Sequence, residues 1–351
     1  MRGGLAAHVR LTRGSLDLDV ELAAEPGEVV GVLGPNGGGK TTTVLALAGV
    51  VPNAAGRLRV GGESWDEPGT ARPPEQRHVG LMLADPLLFP NLRALDNVAF
   101  GLRSRGVGRA AARERALAEL ARVGLGDQAD ARPRELSSGQ AARVALARAL
   151  APDPALLLLD EPLSALDPDT RARTRSDLAH RLADYDGTTV LVTHDPLDAL
   201  TLADRLVFIE AGRVTQAGTP GEVLREPRSP YAATVVGLNL YAAEGDTRGH
   251  ATTDTGTVLV TTNPTAGPVW VAFSPSAVSL HRRPPEGSPR NSWELRITDI
   301  TLHGQSARVG LAGPIRLTAE VTLESIAALG LRVGLPVWAA VKATEVRTYP
   351  R

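Results

Sequence analysis

Residues 27–50 read GEVVGVLGPNGGGKTTTVLALAGV, and three consecutive glycines followed by a lysine leave few folds open. The β-branched apolar run before residue 34 suits a buried strand, and the pattern after residue 40 suits a helix. Residues 34–41 match G-x-x-x-x-G-K-[ST] in the strand, loop and helix setting that gives this spacing its chemistry. Glycines let backbone N–H groups turn inward on a polyphosphate, and the helix N-terminus adds positive potential. The expected ATP-binding set is Gly34, Pro35, Asn36, Gly37, Gly38, Gly39, Lys40, Thr41 and Thr42, with Lys40 on the β- and γ-phosphates and the Thr41 hydroxyl within reach of Mg2+. A glycine-rich turn with an exposed lysine is the bland alternative, and the flanking strand and helix argue against it.

Further along, ALLLLD at residues 155–160 and TTVLVTHD at 188–195 read as short buried strands, and residues 107–151 as helices rich in Ala, Leu and Arg. Strands alternating with helices predict a mainly parallel sheet covered on both faces. Asp160 and Glu161 end one such strand, where adjacent carboxylates are a liability unless they serve a cation or a reaction. Asp160 suits an outer contact to Mg2+, and Glu161 suits polarising an attacking water. Capping of the following turn is the structural alternative. His194 ends the other strand and, taken by itself, receives no role.

The formal net charge of -1, with both signs interspersed, gives no basic field for nucleic acid, and the absence of cysteine excludes disulfides and thiol chemistry. No run approaches 18 uncharged apolar residues, so any membrane role is expected to come through a partner. Thr219, Pro220 and Glu222 form a capping-box pattern, predicting a helix that closes a first domain near residue 237. Beyond it, runs such as TVLVTT and PVWVAF predict an all-β appendage, interrupted by the Pro-rich stretch RRPPEGSPRNS.

Taken in order, GPNGGGKTT, LSSGQAARVALARAL, LLLLDEP, SALD and VTHD resemble the ATP-binding subunit of an ABC transporter over residues 1–237. The resemblance implies an α/β P-loop NTPase fold, a RecA-like core with an inserted helical subdomain at about residues 85–152. It also implies a head-to-tail homodimer in which Ser137, Ser138, Gly139 and Gln140 of each copy face the ATP of the other. By the same resemblance Glu161 and His194 are catalytic, His194 sensing the γ-phosphate, and Asp167 communicates across the dimer. The implied partners are integral membrane permease subunits and, indirectly, an extracytoplasmic substrate-binding protein, which places the chain on the cytoplasmic face of the membrane.

Some positions depart from that family. Ala84 stands where the family carries a glutamine that contacts Mg2+ and links the nucleotide to the loop touching the permease. No aromatic residue precedes Trp65, so the usual adenine-stacking ring is missing and Leu16 is the aliphatic candidate. Ser138 replaces a glycine, and Gly38 reads as a permissive change.

The last 60 or so residues resemble the molybdate-binding Mop type of domain, a small all-β barrel of the OB class, through AEVTLESIAALGL and VKATEV. The expected division is therefore residues 1–237, a β-rich connection at 238–287, and an oxyanion-binding domain at 288–351. Lys342 is the only lysine besides Lys40 among 38 basic residues. Alternation along residues 336–346 predicts one strand, with Val337, Ala339, Val341 and Ala343 on one face and Trp338, Ala340, Lys342 and Thr344 on the other. The resemblance assigns Ser292, Thr322 and Lys342 to an oxyanion, with molybdate as a regulatory ligand; a lysine snorkelling from an apolar edge is the open alternative. The expected activity is ATP hydrolysis driving molybdate or tungstate import. The alternatives are an importer ATPase for another oxyanion or solute, and a degenerate ATPase acting as a molybdate sensor.

Overall fold

The computed structural model describes residues 3–53 and 55–351, which divide into two compact units, residues 1–221 and 222–351. In the first, the strands Val79–Met82, Leu156–Asp160, Thr188–Val192, Val29–Leu33 and Arg205–Glu210 lie side by side in that order and run parallel. Every residue of Val29–Leu33, Leu156–Asp160 and Thr188–Val192 is buried, which is why these segments read as unbroken apolar runs. Their C-terminal ends deliver the glycine loop, Asp160 with Glu161, and His194 to one edge of the sheet.

Parallel pairing accounts for only about half of this eleven-stranded sheet, a correction to the mainly parallel expectation. Beyond Arg205–Glu210 it continues through Arg213–Gly218, Leu16–Ala24, Leu5–Arg13, Arg57–Val60, Glu63–Glu67 and Thr70–Ala71, joined mostly by antiparallel pairs. In the first hairpin Leu5, Ala7 and Val9 face the core with Leu18, Val20 and Leu22.

The helices Ala94–Ser104, Arg109–Arg122 and Ser138–Leu150 bury a separate core. Leu95, Val98 and Leu102, then Ala112, Ala116 and Leu120, recur at helical spacing, and the alanines let the axes approach. Among the described residues no helix is long and apolar enough to cross a membrane.

The second unit begins at Glu222, ahead of residue 237. The helix Pro230–Val236, capped by Ser229, therefore belongs with the β-rich part. Residues 238–287 and 288–351 are not separate bodies either. One five-stranded sheet holds Val258–Val260, His250–Thr253, Asn239–Gly245, Gly267–Phe273 and Arg347–Pro350; the other holds Ser279–His281, Pro336–Val341, Asn291–His303, Ser306–Ala312 and Leu317–Thr322. Both contribute to one apolar core, with Val269, Val271 and Phe273 from the first and Leu295, Ile297, Val309, Val337 and Ala339 from the second. The all-β, OB-like class holds.

The strand expected over residues 336–346 stops at Val341. Lys342 heads a single turn, its carbonyl accepting from the Glu345 backbone N–H at 3.0 Å, and the chain then joins the other sheet as Arg347–Pro350.

Candidate functional site

The loop leaving Val29–Leu33 is forced to be glycine-rich. Gly34 has φ +154°, and a Cβ there would lie 2.0 Å from the Ile209 carbonyl oxygen. At Gly38 a Cβ would meet the same oxygen at 2.7 Å, so this position is a close approach rather than a permissive change. The loop runs into the helix Lys40–Leu47, and Lys40 is buried with its Nζ donating to Gly34 O at 2.7 Å and Pro35 O at 3.0 Å. Burial pushes the Lys40 ammonium below its ordinary pKa, opposed by the charges of Glu161 and Asp160. An ammonium held by two loop carbonyls can exchange them for phosphate oxygens.

Asn36, Gly37, Gly39, Lys40, Thr41, Thr42 and Glu161 line one cleft of about 440 Å3, together with Arg13, Ser15 and Leu16 from the first hairpin. The aliphatic candidate for the adenine thus borders the phosphate site. Asp160 lies behind Thr41 and accepts a hydrogen bond from its side chain. Burial pushes the Asp160 carboxyl above the usual carboxylate range, while Thr41 and Lys40 pull it down and Glu161 raises it further. A desolvated carboxylate beside a hydroxyl fits a hard cation that takes its other ligands from phosphate and water. Among the described residues no cluster of three or more His, Asp or Glu could hold a metal ion without such help.

Glu161 follows the strand in the left-handed region, φ +53°. That conformation costs about 1–3 kcal/mol for a residue other than glycine. It is held from both sides: its N–H donates to Val192 O at 2.9 Å, and its carbonyl accepts from the Ser164 hydroxyl at 2.9 Å. The turn aims the carboxylate into the cleft, with Oε2 3.0 Å from Nδ1 of His194. His194, without a role from its own sequence context, is thereby a partner of Glu161.

Ser137, Ser138, Gly139 and Gln140 do not line this cleft within the chain. Ser137 caps the helix Ser138–Leu150, accepting from the Gln140 N–H at 3.2 Å, while Gln140 Oε1 accepts from the Ser137 N–H at 2.8 Å. Ser138 lies in the first helical turn, where its backbone needs no glycine. Gly139 faces Leu166, whose Cδ2 would lie 3.1 Å from an added Cβ, so the helix end sits close against the loop leading to Asp167. Asp167 caps the helix Pro168–Ala183, and the Thr170 backbone N–H holds its carboxyl below the usual range.

Sequence reasoning missed three residues. Arg13 and Ser15 reach the cleft from the hairpin turn, and the alternation in LAAHVRLTRGSLDLDVELAA was the available signal. Arg171, one turn into the Asp167 helix, donates from Nε to Leu163 O at 3.1 Å and from one terminal nitrogen to Ser164 O at 3.1 Å and Leu166 O at 3.3 Å. Its other terminal nitrogen lies 3.3 Å from Asp195 Oδ2, next to His194. It frames the whole 163–166 turn, and nothing local in the sequence marked it.

The three oxyanion candidates are not gathered by one chain. Lys342 is exposed just past Val341, which pairs with Asn291 at the start of the long strand, and exposed Ser292 lies beside Ala340. Thr322 pairs with Ser306, which pairs with the opposite end of that strand, and it caps the helix Leu323–Leu329.

Ala84 is exposed, and its methyl offers no ligand to the phosphates; a second cleft, of about 610 Å3, opens among side chains of residues 74–105 and 148–152. Leu87, Phe89 and Phe100 are exposed along it, the two rings 4.6 Å apart, with Arg77, Arg105 and Arg148 among its walls. Arg148, in the helix Ser138–Leu150, donates to Leu87 O at 2.9 Å and Pro86 O at 2.8 Å.

Known proteins carry the same combination. The ABC transporter family pattern matches residues 18–164, and the TOBE domain pattern matches residues 287–348. The chain is 41% identical over 347 residues to the molybdenum import ATP-binding protein ModC of Mycobacterium tuberculosis (strain CDC 1551 / Oshkosh), covering 95% of this chain and 94% of that protein. It is 38% identical over 290 residues to the Fe(3+) ions import ATP-binding protein FbpC of Agrobacterium fabrum (strain C58 / ATCC 33970), covering 80% and 81%. Among solved structures, a dimeric ATP-binding cassette in a post-hydrolysis state with ADP and Pi aligns at a TM-score of 0.56 and 28% identity, covering 62% of this chain and 98% of that one.

Proposed function

Because this chain belongs to the ABC transporter family, we propose that it is the ATP-hydrolysing subunit of an importer, that it works as a homodimer on a separate membrane permease, and that the transported ion is molybdate or tungstate. The observation that carries the ATPase reading is the single cleft joining Lys40, Thr41 and Glu161, with Asp160 behind Thr41 and His194 on Glu161.

In this reading Lys40 releases the Gly34 and Pro35 carbonyls to neutralise the β- and γ-phosphates, and the glycine-loop amides fix the nucleotide. Thr41 and Asp160 are the residues that would hold a magnesium ion, which would supply charge neutralisation during phosphoryl transfer. Glu161 orients the attacking water and takes up its proton, and His194 holds the Glu161 carboxylate in place. Ser137, Gly139 and Gln140 of the second copy close the site over the γ-phosphate, using the N-terminus of the helix Ser138–Leu150. The exposed Leu87, Phe89 and Phe100 suit the permease contact, since a solvated aromatic cluster beside a cleft is a surface that gains by being covered.

Molybdate is supported by the likeness to ModC along nearly the full length and by the tail motifs. An importer for another solute is favoured by one observation, the comparable identity to the iron relative over 80% of the chain. Ala84 is the observation behind a degenerate ATPase that senses molybdate. ATP turnover by the purified protein, with and without molybdate, tests all three. Lys40→Ala should end turnover, whereas Lys342→Ala should spare it and remove its response to molybdate. Undetectable wild-type turnover even with a permease would sink the enzyme reading, and no molybdate retention in equilibrium dialysis would sink the tail site.

A further inference from the structure

Arg77 is 3% exposed and spends its whole guanidinium on four partners. One terminal nitrogen donates to Leu47 O at 3.0 Å and Ala46 O at 3.3 Å, Nε donates to Arg72 O at 2.8 Å, and the other terminal nitrogen meets Asp66 Oδ1 at 2.5 Å. The Trp65 ring lies 5.9 Å from its Cζ. Ala46 and Leu47 are the last residues of the helix Lys40–Leu47, so this cation sits on the negative end of the helix whose other end holds the phosphate loop. Eight residues span roughly 12 Å, short enough to act as a stiff strut. The next glycine makes room: a Cβ on Gly49 would lie 2.6 Å from Arg77 Nε.

The other side of Arg77 faces the second cleft. Its backbone carbonyl accepts from Arg105 at 3.3 Å, and both residues line the cleft beside Leu87, Phe89 and Phe100. Arg105 caps the C-terminal end of Ala94–Ser104, so a shift of that helix pulls on the residue that anchors the phosphate helix. Burying the Asp66 and Arg77 charges gives little net stability against an apolar pair, which leaves fixing one geometry as the role that accounts for them.

We propose that Arg77 is a positioning residue that ties the aromatic-lined cleft to the phosphate-binding helix, so that movement at the cleft changes nucleotide affinity. The link rests on the ATP-binding reading alone and needs no permease. The test is a double-mutant cycle on the full-length protein, reading Kd for a fluorescent ATP analogue with magnesium, together with KM and kcat for ATP. Arg77→Lys keeps the charge and loses the fork; it should raise Kd and KM about tenfold with a smaller change in kcat. Arg105→Ala, on the cleft side, should raise Kd about threefold in the wild-type background and less than about 1.5-fold in Arg77→Lys. An unchanged Kd in the Arg105→Ala single variant, or the same factor in both backgrounds, overturns the proposal. Should Arg77→Lys fail to fold, the single Arg105→Ala measurement decides. A wild-type protein that binds no analogue at all overturns the ATP-binding reading and this link with it, an outcome distinct from binding that ignores position 105.

Discussion

Arg171 lets the frame around the active-site turn be tested quantitatively. Arg171→Met removes three hydrogen bonds to the carbonyls of Leu163, Ser164 and Leu166, and the approach to Asp195. The Arg171 side chain is 29% exposed, so water replaces part of what is lost, and each bond is worth about 1 kcal/mol or somewhat less. The Asp195 contact adds little, because Arg175 also lies 3.8 Å from that carboxylate. The sum is about 2–3 kcal/mol, and for a unit of this size each kcal/mol moves the unfolding midpoint by about 2–4 °C. The ATPase transition should therefore fall by about 4–12 °C in a thermal scan without nucleotide. Turnover should fall at least about tenfold, since Ser164 also holds the carbonyl of strained Glu161, and about 1.4 kcal/mol of misplacement is enough for that factor. Arg171→Lys should recover roughly a third of the stability, as an ammonium replaces one bond of three. A midpoint within about 2 °C of wild type with unchanged turnover would refute the reasoning and leave the packing of buried Leu163 and Leu166 as the only frame.

Asp167 should make stability depend on acid in a defined direction. Its folded pKa is depressed by the Thr170 N–H, so its capping contribution is fully present above the unfolded carboxylate value of about 3.9 and is lost as pH falls through the lower folded value. The gap in unfolding midpoint between wild type and Asp167→Ala should stay level from neutrality down to about the unfolded carboxylate value and close as pH falls below it through the folded value; a gap that persists there would show that the carboxylate charge is not what caps the helix. Ala84→Gln should raise ATP turnover measured under steady-state conditions, and a large loss instead would show that the site has adapted around alanine.

Local sequence carried the chemistry that one strand, loop and helix can hold. The 34–41 spacing, the buried run ending in Asp160 and Glu161, and the Ser137 cap each depend on neighbours within a few residues. What escaped depended on distant partners. The requirement for glycine at 38 comes from the Ile209 carbonyl, far along the chain. The roles of Arg77 and Arg171 come from carbonyls that no periodicity points to. Alternation through Val341, Ala343 and Thr344 reads as one strand, yet the Lys342 to Glu345 turn redirects the chain into another sheet. A cap tells where a helix starts and is silent on which body it joins: the helix signalled by Thr219, Pro220 and Glu222 runs from Pro220 to Arg225 and straddles the boundary between the two units. Thr322 and Lys342 are near neighbours in a motif, whereas sheet register within one chain sets them toward opposite ends, a separation that no local pattern in the sequence reveals.

The returning strand Arg347–Pro350 changes what counts as a transferable module. It pairs with Gly267–Phe273, and the Tyr349 hydroxyl donates to Pro227 O at 2.6 Å from a buried position. A chimera that grafts only residues 288–351 onto another ATPase severs that pairing and exposes the faces of both sheets. The boundary between the two compact units falls at residues 221 and 222, inside the helix Pro220–Arg225, so a splice should be made ahead of that helix, and exchange of C-terminal units between such ATPases should succeed with the whole unit rather than with its last half.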